Sequence, residues 1–154
     1  MSFDLSLINA YIEKNYVPEK CQIFRSLKAK ECICLDSEYN IDTSTFQEEV
    51  FKLIDKNNYN DAEVYKRAFI SKQTFSKIRK DSFYHPDKDT AIKICLGLKL
   101  SLNEAISLLE KAGYTLSFSI KRDLVFRYFL LNKEYDVLIL NETLYKLDMP
   151  LLNI

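Results

Sequence analysis

Glycine and proline are scarce in this chain, at two and three residues. Two glycines cannot build a Gly-rich phosphate loop, so the nucleotide-binding motifs that need one are excluded. With the Leu, Lys and Glu content, the scarcity favours helices. Charge of one sign is missing as well: 22 basic and 22 acidic residues cancel, and the pI is about 6.6. Total charge therefore does not announce a nucleic-acid binder, and any such role has to come from a local patch. There is one histidine, His85, in a loop sequence FYHPDK. Without a nearby nucleophile or carboxylate it reads as a surface or turn residue rather than a catalytic base. Neither a cationic start followed by an apolar run nor an apolar stretch of about 18 residues is present. No signal peptide or membrane span is expected, and the expected location is cytoplasmic.

Four cysteines occur, Cys21, Cys32, Cys34 and Cys95. The Cys32-Ile33-Cys34 spacing could supply two thiolates, but no second ligand pair follows. Ordinary reduced cysteines are expected, with no metal and no cofactor. No nucleophile–base constellation appears either, so an enzyme is not expected.

What the chain does have is core material: 47% apolar residues, with ten Tyr and ten Phe among 154 residues. This suits one domain, or a compact core with a small extra segment. Residues 1–43 read as a short helix around Leu5, Ile8 and Ile12, ending before Val17-Pro18, and then an irregular arm in which ECICLDSE could form a short strand. From residue 44 the signals become regular. Thr45 with Glu48 has capping-box spacing, as does Ser44 with Gln47, ahead of the stripe Phe46, Val50, Phe51, Leu53 and Ile54. Asn60 or Asp61 can cap a second helix, and Ser71 a third that buries Phe75 and Ile78. Pro86 suits the first turn of a fourth helix ending near Lys99-Leu100. Ser101 with Glu104 opens a fifth, which Gly113 closes. Beyond it, residues 114–154 form an extension with helices expected over 121–131 and 141–147. Phe83 and Tyr84 are expected to pack their loop, with base stacking as the alternative.

The stretch AEVYKRAFISKQTFSKIRK, Ala62 to Lys80, carries the most information. Phe75 and Ile78, three apart, share one face of a helix, which sends Lys72, Gln73, Ser76, Lys77 and Lys80 to the opposite arc. Between Asn60 and Asp81, six cations stand against three carboxylates, a local net charge of +3 in a neutral protein. Ala62, Glu63, Val64 and Ala68, then Ile70-Ser71, then Phe75-Ser76-Lys77-Ile78, resemble in order the helix-turn-helix of the lambda-repressor-like (XRE/Cro-type) family. PDKDTAIKICLGLKLSLNEA, Pro86 to Ala105, is similar to that family's fourth helix and the start of its fifth. The resemblance spans roughly residues 45–112. It implies an all-α fold: a five-helix core over 44–113, flanked by the N-terminal arm and the C-terminal helices. It also implies a transcriptional regulator that binds double-stranded DNA, with Ser71–Lys80 as recognition helix. In that reading Lys72, Gln73, Ser76 and Lys77 meet base edges, and Arg79, Lys80, Lys66 and Arg67 lie near phosphates. Free N–H groups at the start of that helix could hold a further phosphate.

Three positions depart from the family pattern. Phe69 stands where the turn usually has Gly, Asp61 where a phosphate-contacting Gln is common, and Tyr65 where a small residue permits close packing. These departures, with the zero net charge, support an alternative: a protein-interaction module of the same fold, adaptor or antitoxin-like, that binds little or no DNA. RDLVFRYFLL, Arg122 to Leu131, is apolar on more than one side, and Val137, Leu138, Leu140, Leu144, Leu147, Leu151 and Leu152 follow it. This tail either completes the core or forms a homodimer through the C-terminal helices.

Overall fold

The computed structural model describes residues 4–18 and 43–154. Among these the protein is all-α, with no strand. The helices are α1 (Leu5–Asn15), α2 (Phe46–Lys56), α3 (Asp61–Arg67), α4 (Lys72–Lys80), α5 (Lys88–Gly97), α6 (Leu102–Lys111), α7 (Lys121–Leu131) and α8 (Val137–Lys146). The strand expected at ECICLDSE, and Cys21, Cys32 and Cys34, lie outside the described residues. No helix among them is long and apolar enough to cross a membrane.

Helix starts follow the local capping chemistry. Thr45, Asn60 and Ser101 each close a capping box with a Glu three residues on. Of the two candidates, Asn60 is therefore the cap of α3, while the Ser44 hydroxyl turns away to accept from Lys111 Nζ at 2.7 Å. Six of the eight helix ends among the described residues share one device. The residue after the cap takes a left-handed conformation at Asn58, Phe69, Lys99, Gly113, Lys133 and Asp148. At each, the next N–H reaches back five residues, as Ile70 N does to Tyr65 O at 2.9 Å and Tyr114 N to Leu109 O at 2.9 Å. Six helices thus end in Schellman motifs, only one of them using glycine.

Three sequence expectations are corrected. Pro86 does not enter the first turn of α5. It precedes the cap Asp87, is buried, and its carbonyl accepts from Tyr114 Oη at 2.9 Å. That helix ends at Gly97 rather than near Lys99-Leu100, because the turn at Lys99 has already begun. The last helix starts at Val137, not Asn141: the Asp136 carboxylate accepts from Leu138 N and Ile139 N and caps it early.

One continuous core links α1 to Leu152. α5 lies at its centre, buried from Ala91 to Gly97 on all sides, Lys93 included. It packs on α3 and α6, α6 on α2 and α7, and α7 on α1 and α8. Gly97 permits the close approach to α3: a Cβ there would sit 2.9 Å from both Ala68 Cβ and Val64 O. The N-terminal ends of α5 and α7 are joined by two ion pairs. Asp123, 2% exposed, accepts from Lys88 Nζ at 2.6 and 2.8 Å, and Arg122 grips Asp89 through both terminal nitrogens. The last residues lie across this region. Arg122 donates to Leu151 O, Lys93 Nζ to Asn153 O, and Asn141 pairs reciprocally with the Leu152 backbone. Desolvation holds the Lys93 ammonium below its usual pKa, against the opposing pull of Asp87 and Asp89.

Candidate nucleic-acid interface

α3 and α4 are joined by Ala68 to Ser71. The Schellman turn at Phe69 (φ 51°) reverses the chain, Ile70 anchors it in the core, and Ser71 caps α4 by accepting from Thr74 N at 3.0 Å. Phe69 itself is 42% exposed, so the turn takes a left-handed aromatic residue without burying its ring.

α4 rests on α3 and is held by two side chains. Phe75 is 3% exposed and Ile78 fully buried. The Phe75 ring meets Phe51 of α2 edge-on at 6.2 Å and Tyr65 of α3 at 5.9 Å. This leaves Lys72, Gln73, Lys77, Arg79 and Lys80 exposed and Ser76 half-buried. Lys66, on α3, is exposed too. Lys66, Lys72, Lys77 and Lys80 form no ion pair among the described residues.

The two arginines differ from the lysines. Arg79 is engaged by Asp61, its guanidinium lies 4.4 Å above the Phe51 ring, and its carbonyl accepts from Gln47 Nε2 at 2.6 Å. Arg67 is half-buried: Nε donates to Glu63 O at 3.2 Å, the guanidinium stacks on Tyr59 at 4.3 Å, and Nη2 reaches no hydrogen-bond partner among the described residues. It lines one cleft with Lys99, Lys133 and Asp136, to which no α4 residue contributes, and a second with Tyr59, Glu63 and Lys66.

No protein-family model, curated protein or solved structure matches this chain. Its chemistry therefore rests on the geometry alone.

The nearby carboxylates are largely occupied. Asp61 holds Arg79, Glu63 accepts from Asn60 N, and Asp81 accepts from Phe83 N at 2.9 Å. Sequence reasoning missed Phe83, expected to pack its loop: the side chain is 92% exposed. Tyr84 beside it does pack on the core. His85 is exposed, its ring 5.4 Å from that of Tyr114. Among the described residues no group of three or more His, Cys, Asp or Glu could hold a metal. Cys95 is buried, and desolvation pushes its thiol up to about 12, so no thiolate nucleophile forms there.

Proposed function

We propose that this protein is a DNA-binding transcriptional regulator of lambda-repressor-like type, with α4 as its recognition helix. The observation that carries this reading is the division of α4. Phe75 and Ile78 are sunk in the core, while Lys72, Gln73, Lys77 and Lys80 face solvent, the lysines with no ion-pair partner among the described residues. The order of α2 to α6 supports it, since five short helices with a tight turn between the second and third match the resemblance read from the sequence. In this mechanism the start of α4 enters the major groove. Gln73 addresses an adenine edge, Lys72 and Lys77 address guanine edges or phosphates, and Lys80 and Lys66 face the phosphate backbone. Arg79 acts by fixing α4 to Asp61 and Phe51, and Arg67 contributes less than its charge suggests.

Fluorescence anisotropy with duplex fragments across a salt series tests this. Affinity should fall steeply with salt, and Lys72→Ala with Lys77→Ala should lower the slope by about 0.9 for each phosphate contact removed. Absence of binding at about 50 mM salt refutes it.

A second reading, a protein-interaction module of the same fold, is favoured by one observation. Leu131, Leu138, Tyr145, Leu151 and Ile154 are all exposed near the C-terminal end, and a second copy or another protein could cover them. A concentration-dependent sedimentation coefficient that Leu138→Glu abolishes would support the homodimer form of it.

A further inference from the structure

The end of α3, the turn after α5 and the turn between α7 and α8 enclose a cleft of about 350 Å³. Arg67, Lys99, Lys133, Glu134, Tyr135 and Asp136 line it. Three cations and two carboxylates thus share one recess, yet no ion pair joins any of them among the described residues. Each carboxylate is tied to the backbone by one oxygen. Glu134 Oε1 accepts from Tyr135 N and Asp136 N, and Asp136 Oδ1 from Leu138 N and Ile139 N. Their second oxygens accept no hydrogen bond among the described residues. Arg67 is held by Glu63 O and the Tyr59 ring, and its Nη2 is buried without a hydrogen-bond partner among the described residues. Buried donors are ordinarily paired, so this nitrogen is an exception. Lys99 and Lys133 stand just past the ends of α5 and α7, where a cation opposes the negative pole of a helix. That accounts for two of the cations, but not for the carboxylates that share the cleft or for the unpartnered guanidinium nitrogen.

We infer that this cleft binds a small zwitterion, a free amino acid, by its two charged groups. A simple anion meets the repulsion of Glu134 and Asp136, and a simple cation that of Arg67, Lys99 and Lys133. A molecule carrying both signs meets each with its opposite. The ligand carboxylate lies on the terminal nitrogens of Arg67, which suit two parallel N–H···O bonds, and gives Nη2 the partner it lacks. Lys99 and Lys133 add charge to that end. The ligand ammonium donates to the second oxygens of Glu134 and Asp136. The volume lies near the lower end of the range for small-molecule sites, about 300–1,000 Å³. The inference stands apart from the DNA-binding reading: no α4 residue lines this cleft, and its test contains no DNA.

Thermal melts and isothermal titration calorimetry on the full chain, with each of the common amino acids in turn, test this. Phosphate, acetate and methylammonium serve as controls of a single sign. At least one amino acid should raise the melting temperature by about 4 °C when present at about ten times its Kd, and the controls should not. Methyl esterification or N-acetylation of that amino acid, each of which removes one charge, should weaken binding about tenfold. Asp136→Asn removes a negative charge and keeps the α8 cap, because asparagine caps as well as aspartate. Lys133→Asn removes a cation and suits the left-handed turn at φ 54°. Each variant should melt like the wild type without ligand and bind about tenfold more weakly. Absence of a response to every amino acid overturns the inference. An equal response to acetate or phosphate makes this a plain anion site and overturns it too. Full affinity in both variants would place the binding elsewhere and overturn the assignment. If neither variant folds, the ester and N-acetyl comparison on the wild type still decides.

Discussion

Truncating Phe75 to alanine should lower the melting temperature by about 10–15 °C. Phe75 is 3% exposed and sits between the rings of Phe51 and Tyr65, at 6.2 and 5.9 Å. Removing a ring so enclosed costs about 3–5 kcal/mol from lost transfer energy and the residual cavity. The two aromatic contacts place the value toward the upper end, since each such pair adds about 0.5–1.5 kcal/mol beyond its buried area. A chain of 154 residues unfolds with an entropy on the order of 0.3 kcal/mol/K. Dividing the two gives the expected shift. Far-UV circular dichroism melts and urea titrations on wild type, Phe75→Leu and Phe75→Ala supply the measurement, with Phe75→Leu intermediate. The urea midpoint should move while the slope stays constant. A shift for Phe75→Ala below about 3 °C would mean that the ring does not hold α4 to α3. The division of α4 into a buried and an outward face would then be wrong, and the DNA-binding reading would lose its basis.

Asp61→Asn should tighten DNA binding several-fold at low salt, by removing a carboxylate beside the phosphates while Arg79 stays seated on the Phe51 ring; unchanged binding, with a melt like that of the wild type, would show that this end of α3 does not face DNA. Phe69→Gly should stabilise the protein by about 0.5–1 kcal/mol, because a side chain at φ 51° is strained and glycine is not; a melt no higher than that of the wild type would contradict the turn geometry. Glu104 has its pKa lowered by the Ser101 backbone and side-chain hydrogen bonds, with a smaller contribution from Lys56. A depressed carboxylate contributes stability that is present above its unfolded value of about 4.5 and fades as pH falls through the folded value. Glu104→Gln should therefore flatten the acid limb of the melting temperature against pH, and a limb of unchanged steepness would assign it to other carboxylates.

Most helix starts were legible because caps are local: Thr45–Glu48 and Ser101–Glu104 declare themselves within four residues. The start of α8 was missed because Val137 to Leu140 is a plain apolar run with no helical period. The available signal was Asp136 ahead of it. The inward and outward faces of α4 were legible for the same local reason, the spacing of Phe75 and Ile78. The fate of the arginines was not. Arg79 meets Asp61 eighteen residues away, and Arg67 stacks on Tyr59. Counting charges in a window registers both as free cations, whereas only the fold reveals what neutralises or covers them. Phe83 misled in the opposite direction, because an aromatic residue is expected inside unless the backbone turns it out, as the Asp81 turn does here.

The chain's other glycine, Gly97, has a reach beyond its own helix. With no methyl group there, α3 settles directly against α5, and the start of α4 hangs from the end of α3 by four residues. The direction in which the lysines of α4 point is therefore set from behind, by a buried contact at the very end of α3 from which α4 departs. Changes at that seam should re-aim the outward face while leaving every one of its side chains intact.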